Sequence, residues 1–106
     1  MTMRALRIEA PGATRLCDLP VPVPGPGEVL LRVARVGFCG SDLNTYRGAN
    51  ALVAYPRIPG HEVAGTVVAI GADVIDAAPG QQALVMPYTA CGACPSCRAG
   101  RPNCCR

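Results

Sequence analysis

Four cysteines near the end of the chain constrain its fold more than any other feature. They are Cys91, Cys94, Cys97 and Cys105, in a C-x2-C-x2-C-x7-C spacing. Thiolates this close in sequence can converge on one ion, because each short loop folds back around it. Four sulfur ligands in a tetrahedron suit Zn²⁺, and such a closed site holds a fold together without offering a position for chemistry. The segment 88–106 is therefore predicted to be a structural zinc loop.

Composition limits the remaining possibilities. With 106 residues the chain is long enough for one domain but not for two. Half of the residues are hydrophobic, yet only Phe38 and three tyrosines are aromatic, so the core must be built from Val, Leu, Ile and Ala. The net charge of +3 comes from ten scattered arginines without lysine, which argues against a nucleic-acid partner. No apolar stretch reaches the roughly 18–20 residues that span a bilayer, so no membrane partner is expected.

The cysteine count bears on the cellular compartment and on the metal. The N-terminus has no signal peptide, and seven cysteines are an odd number, so a complete disulfide framework within one chain is impossible. Clustered thiols in a reducing compartment usually bind metal, so the protein is expected to be cytoplasmic. The alternative hypothesis for the cysteine cluster is an iron–sulfur electron carrier. There, however, the fourth cysteine follows after three residues and precedes proline, whereas Cys105 follows after seven and precedes Arg106.

Short strands joined by Gly/Pro turns dominate the pattern along the chain. Strands are predicted over 3–9, 14–19, 28–36, 62–70 and 83–86, with about two helical turns over 41–47. The helix is expected to begin with Ser41 or Asp42 as N-cap and to stop at Gly48. Gly65 is expected to mark a bulge or a close approach within its strand.

These elements favour an all-β barrel or sandwich. The proline-rich segment 20–27 can be neither helix nor central strand, because proline lacks a donor N–H, so it is predicted to be an extended connector. No G-x-G-x-x-G lies between a strand and a helix, so a dinucleotide-binding fold is not expected in this sequence.

A second metal site is indicated by the single histidine. His61 follows Gly60 and precedes Glu62, and Cys39 lies just past the end of the best predicted strand. A lone histidine is more often structural or a surface group. A Cys and a His at two strand ends could nevertheless share a metal if a sheet brings those ends together. Fewer than four protein ligands leave a position open for water or substrate, as a catalytic zinc requires.

Three motifs in this order resemble the medium-chain, zinc-dependent alcohol dehydrogenase family. They are Gly37-Phe38-Cys39-Gly40-Ser41-Asp42, then Gly60-His61-Glu62-Val63-Ala64-Gly65 followed by Gly71, then the four-cysteine loop. The resemblance covers nearly the whole chain. Around Tyr46-Arg47-Gly48 and Tyr55-Pro56-Arg57 it is closest to polyol, threonine and sugar-acid dehydrogenases. It implies a mainly β, GroES-like, partly open β-barrel with a short helix and a zinc-binding loop.

The resemblance also implies roles for individual residues. Cys39 and His61 match the first two ligands of the catalytic zinc, and Glu62 matches the carboxylate that sits beside the zinc and ligates it in some states. Asp42 matches the carboxylate that hydrogen-bonds the ligating imidazole. Ser41 matches the hydroxyl that hydrogen-bonds the substrate oxygen and begins a proton relay. The family's structural zinc ligands fall on Cys91, Cys94, Cys97 and Cys105, with Asn103 favouring Cys105 over Cys104.

The implied function is oxidation of a secondary alcohol, such as a polyol or sugar acid, with hydride transfer to NAD or NADP. Two zinc ions are implied, one structural and one catalytic, and family members are homo-oligomers. In the family the nucleotide-binding domain follows the segment seen here. Residues 1–106 are therefore expected to be the N-terminal part of the catalytic domain, and to be inactive alone. The alternative hypothesis is a non-catalytic, zinc-stabilised interaction module, which would bind no metal at Cys39 and His61.

Overall fold

The computed structural model describes residues 1–105. Five strands form two separate antiparallel sheets, a two-stranded sheet and a three-stranded sheet. The elements are β1 (Thr2–Ala10), β2 (Ala13–Pro20), β3 (Val29–Val36), α1 (Gly40–Arg47), β4 (Val63–Ile70), β5 (Gln82–Leu84), α2 (Pro95–Arg98) and a 3₁₀ turn, Pro102–Cys104. The mainly β class is confirmed, and the described sheets do not close into a barrel, consistent with a partly open one.

The first sheet is the hairpin β1–β2, with Leu6 opposite Leu16. Its turn is fixed to the end of α1, because the Gly12 N–H donates to the carbonyl oxygen of Tyr46 at 2.7 Å. Near its middle, Ile8 forms an isolated antiparallel bridge with Arg57, with N–O distances of 2.8 and 2.9 Å. The hairpin is therefore hydrogen-bonded to the end of α1 and to the loop that leads to His61.

The second sheet has the order β3-β4-β5. Its register shifts between Val33, opposite Gly65, and Arg35, opposite Ala64, so one extra residue of β3 forms a bulge there. A side chain on Gly65 would collide with the backbone carbonyl of Arg32. The expected close approach at this glycine is confirmed, and the bulge beside it lies in the partner strand β3. The strand β5 ends earlier than predicted, at Leu84.

The helix α1 differs from the prediction at its start. Its N-cap is Cys39, with extended φ and ψ of −97° and 157°. The expected N-cap of Ser41 or Asp42 was wrong, because the Asp42 carboxylate instead lies in the first turn and accepts the Cys39 backbone N–H at 2.9 Å. This is the reciprocal half of a capping box. The predicted stop at Gly48 is confirmed, with φ of 76° in the left-handed region.

The buried core is small. Within residues 1–105 the fully buried apolar side chains are Ile8 and Val67, each 2% exposed. The residue types match the prediction, but the core is much smaller than a half-hydrophobic composition allows. The radius of gyration is 15.9 Å, against about 13 Å for a compact domain of this length. The two sheets lie apart and each has an uncovered face, which explains both the small core and the large radius of gyration.

An open apolar groove separates the two sheets. It has a volume of about 490 Å³ and is lined by side chains that include Leu6, Val33, Phe38 and Ile58. Phe38 is 75% exposed. Within the described chain, no helix combines the length and the hydropathy needed to cross a bilayer.

Two candidate metal centres

The first candidate centre is the four-cysteine cluster. The sulfur atoms of Cys91, Cys94, Cys97 and Cys105 all lie within 4.8 Å of one another. Two short helices, which were not predicted, shape this loop. Cys94 is the N-cap of α2 and Cys97 lies within it, while Cys105 follows the 3₁₀ turn. Both helices begin with proline, whose fixed φ suits the first helical position. Cys104 is exposed and lies outside the cluster.

Backbone N–H groups point at the sulfurs of this cluster. Cys91 Sγ accepts hydrogen bonds from the N–H groups of Ala93 at 3.4 Å and Cys94 at 3.2 Å. These bonds lower the pKa of the Cys91 thiol. Burial, followed by the neighbouring Cys94 thiol, raises the pKa of Cys97. Several thiols so close together repel one another once ionised, and a cation removes that repulsion. The donor set and its convergence fit a Zn²⁺ ion.

The second candidate centre joins two distant parts of the sequence. Ligand atoms of Cys39, His61 and Glu62 lie within 4.8 Å of one another. Cys39 follows β3, and the other two precede β4. The antiparallel pairing of Val36 with Val63 brings these strand ends together, and the Gly37 N–H extends it by donating to the carbonyl of Glu62 at 2.7 Å. One sulfur, one nitrogen and one carboxylate oxygen are chemically suited to Zn²⁺, with a fourth position left open.

The Cys39 thiol and the His61 ring perturb each other. The Ser41 hydroxyl, followed by the Ser41 backbone N–H and by His61, lowers the pKa of Cys39. The hydrogen bond to Cys39, with the charge of Asp42 as a further cause, raises the pKa of His61. Both shifts act in the direction of a thiolate beside a protonated imidazole. Exchange of that proton for a metal ion leaves the same two atoms as ligands.

Asp42 connects the helix to the histidine. Its side chain is 8% exposed, and its Oδ1 lies 3.6 Å from His61 Nδ1. Its other oxygen accepts the N–H of Cys39. The carboxylate thus both caps α1 and faces the imidazole, two roles that the sequence could not separate. Because Nδ1 faces Asp42, Nε2 is the ring nitrogen available to a metal.

Sequence reasoning missed one close contact and one cavity beside this centre. The Glu62 side chain lies directly against Gly37, which the sequence marks only as the first residue of the motif around Cys39. A cavity of about 140 Å³ adjoins His61 and is lined by residues that include Ser41, Asn50 and Arg57. The sequence alone does not show that Gly37 and Glu62 meet across two strands. A glycine two residues before Cys39 could still have indicated a close approach there.

The comparison with known families agrees with this geometry. A family model described as "Alcohol dehydrogenase GroES-like domain" matches residues 25–106, well over half of the chain. The chain belongs to this family. The GroES-like assignment predicted from the three motifs is thereby confirmed.

Named relatives align with the GroES-like domain along nearly its whole length. L-galactonate-5-dehydrogenase of Escherichia coli (strain K12) is 39% identical over 104 residues, covering 98% of this chain and 31% of the relative. D-altritol 5-dehydrogenase of Agrobacterium fabrum (strain C58 / ATCC 33970) is 39% identical over 103 residues, covering 97% of this chain and 31% of the relative.

Solved structures give the same result. A thermostable alcohol dehydrogenase from Pyrobaculum aerophilum, with cobalt and zinc bound, has a TM-score of 0.92 and 36% identity, covering 100% of this chain and 33% of that one. An alcohol dehydrogenase of E. coli CFT073, complexed with the cofactor NADH, has a TM-score of 0.90 and 39% identity, covering 98% of this chain and 30% of that one. The GroES-like domain thus spans about a third of the length of the proteins it matches.

Proposed function

We propose that this GroES-like domain supplies the zinc-binding part of a dehydrogenase active site that oxidises a secondary alcohol with NAD(P). The observation that carries the proposal is the convergence of Cys39, His61 and Glu62 at the paired ends of β3 and β4. Relatives that are dehydrogenases and a structural neighbour with bound NADH support it. On this proposal residues 1–106 are the first part of a catalytic domain, and nucleotide binding belongs to a region that the match does not cover.

Each residue of the second centre has a distinct part in the proposed chemistry. Cys39, through its thiolate, and His61, through Nε2, hold the metal, and Glu62 places a carboxylate beside it. Asp42 fixes the ring orientation and tautomer of His61. The Ser41 hydroxyl, which lowers the pKa of Cys39, exchanges a proton with a substrate hydroxyl on this proposal. When bound, zinc supplies Lewis-acid polarisation of the alcohol oxygen.

The four-cysteine loop has a structural part in the same proposal. A second zinc at Cys91, Cys94, Cys97 and Cys105 would hold the segment 91–105, whose described helices are single turns and whose residues are mostly exposed. Cysteines that converge on a candidate metal site are typical of a reducing compartment, and a cytoplasmic location is proposed on that ground. A homo-oligomer is proposed for the complete enzyme, by analogy with the family.

Metal binding tests the proposal most directly. Titration of the reduced, metal-free chain with Co²⁺ should give two ions per chain. Addition of imidazole, a small ligand for an open coordination position, should change the visible spectrum of one ion only. His61→Ala should remove that ion and leave the other. Cys17→Ala is the matched control, because the Cys17 thiol faces the carbonyl of Ala5 at 3.6 Å, away from both clusters.

The rival interaction module predicts a different result. It requires one ion per chain, with a stoichiometry that neither His61→Ala nor Cys39→Ala alters. That outcome would contradict the proposed active site. A brown, visibly absorbing protein as purified would instead revive the iron–sulfur hypothesis.

Substrate class is tested by a fusion of this chain to the remainder of L-galactonate-5-dehydrogenase. NADH formation is measured with L-galactonate, a sugar acid, and with D-altritol, a polyol. Retained NADH binding and a retained structural zinc show that the fusion is folded. A folded fusion that oxidises neither compound overturns the proposed substrate classes, and activity that survives His61→Ala overturns the role of His61.

A further inference from the structure

Gly37 lies where the Glu62 side chain enters the second candidate centre. A Cβ built on Gly37 would lie 3.0 Å from Glu62 Cβ and 3.3 Å from Glu62 Cδ, and it would overlap Oε2. Real Cβ atoms almost never come that close to another heavy atom. The absence of a side chain at Gly37 therefore leaves the space that the Glu62 carboxylate occupies.

The backbone itself does not require glycine here. Gly37 is absent from the residues with positive φ, so an L-residue with a side chain can adopt its conformation. Its N–H donates to the Glu62 carbonyl at 2.7 Å, a bond that any residue except proline can make. The constraint on this position is thus steric, and it comes from one side chain.

We infer that Gly37 is a positioning residue that allows the Glu62 carboxylate to lie within reach of the metal held by Cys39 and His61. The inference rests on the proposed function, because it concerns the same metal centre. Glu62 is exposed and its carboxylate makes no hydrogen bond or ion pair within residues 1–105. A methyl group at position 37 would therefore displace the carboxylate from the space that it occupies beside the centre.

Displacement of the carboxylate should change the affinity and the visible spectrum of the bound metal ion. The anionic oxygen beside the Cys39 sulfur contributes to neutralising a divalent ion and adds a hard donor to a sulfur–nitrogen set. Gly37→Ala should therefore weaken Co²⁺ binding at this centre by about tenfold, the lower end of the loss seen when groups that support metal ligands are removed. The Co²⁺ spectrum should change in the same direction as in Glu62→Ala.

A double-mutant cycle in the full chain separates positioning from a general structural effect. Co²⁺ affinity and visible spectrum are measured for the native chain, Gly37→Ala, Glu62→Ala and the double variant. If Gly37 acts through the Glu62 carboxylate, most of the effect of Gly37→Ala is lost once Glu62 is alanine, and only the Cβ–Cβ contact at 3.0 Å remains. Gly40→Ala is the matched control, since no atom lies within 4 Å of a Cβ at Gly40; it should leave the affinity unchanged.

Three outcomes overturn the inference while leaving the proposed function intact. They are an unchanged affinity and spectrum in Gly37→Ala, an equal loss in the Glu62→Ala background, and an equal loss in Gly40→Ala. Failure of the proposed function looks different, because the native chain would then bind no second ion. Two-dimensional NMR spectra of the metal-free variants, with unchanged β3–β4 cross-peaks, show that each variant keeps the fold.

Discussion

The two candidate metal centres are built in opposite ways. The four-cysteine cluster takes every ligand from one segment, 91–105, in which short turns do the folding. The second centre takes Cys39 from the end of β3 and takes His61 and Glu62 from the approach to β4. One centre needs little beyond its own loop, whereas the other exists only when two distant strands are paired.

This difference sets what each ion can do. A local loop with four thiolates saturates its metal and stabilises its own fold. In a centre assembled across a sheet, the strand pairing fixes the positions of the ligand side chains, and a coordination position stays open. The core of the described chain is small. A bound metal ion would therefore supply much of the free energy that keeps segment 91–105 folded. The predictions below test whether the two centres are independent.

The largest expected effect follows from removal of one ligand of the local cluster. Cys97→Ala should abolish metal binding there and unfold segment 91–105, because binding and folding of such a loop are one event, with about 10 kcal/mol or more of apparent binding free energy in structural zinc sites. Zinc content should fall from two to one per chain, and hydrogen exchange should become fast in that segment only.

The control for this change is Cys104→Ser, which removes a thiol outside the cluster. It should leave zinc content and exchange unchanged. If Cys97→Ala also releases the ion at Cys39 and His61, the centres are coupled and the comparison fails.

A smaller loss is expected from the carboxylate that orients the histidine. Asp42→Asn keeps an oxygen for the Cys39 N–H but removes the charge that faces His61 Nδ1 at 3.6 Å. Zinc affinity at the second centre should fall about 10- to 100-fold. Competition with a fluorescent zinc chelator measures it. The cluster at Cys91 should keep its affinity; a loss there would show that α1 supports both centres.

A still smaller effect is expected at a glycine of the local loop. Gly92 has φ of 71°, and nothing lies within 4 Å of a Cβ built there, so Gly92→Ala adds backbone strain without a collision. The strain of about 1–2 kcal/mol should weaken zinc binding at the cluster roughly 5- to 30-fold. Isothermal titration calorimetry measures this. Gly40→Ala, without positive φ, should not change it.

The same contrast explains what the sequence could reveal. The cluster itself follows from the close spacing of its cysteines, because a local site takes all its ligands from one short segment. The choice of Cys105 over Cys104 came from Asn103 and the family resemblance. The pairing of Cys39 with His61 was conditional on a sheet joining two strand ends, and the family resemblance supplied that sheet. The N-cap at Cys39 was missed because Ser and Asp are the commoner caps, and α2 was missed because four residues carry too little periodicity.

Two other features depended on tertiary contacts alone. The contact between Gly37 and Glu62 is set by the β3–β4 register, and a one-residue shift would abolish it. The small core could not be read from composition, since half of the residues are hydrophobic. Burial depends on whether sheets face one another, and here Leu16 of β2 and Leu84 of β5 are 68% and 81% exposed.

The smallest expected effect concerns the pH dependence of the metal-free second centre. Because the pKa of Cys39 is lowered, its thiolate is present at high pH and stabilises the contact with His61 there. This stabilisation is lost as the pH falls through the lowered pKa. Because the pKa of His61 is raised, its imidazolium is present at low pH and contributes to stability there. This contribution is lost as the pH rises through the raised pKa.

Iodoacetamide should therefore alkylate Cys39 at lower pH in the native chain than in His61→Ala or Ser41→Ala, as followed by peptide mass spectrometry. Ser41→Ala should cause the larger shift, because the Ser41 hydroxyl is the largest cause of the lowered pKa. Identical alkylation profiles in all three chains would contradict the effects of Ser41 and His61 on the pKa of Cys39.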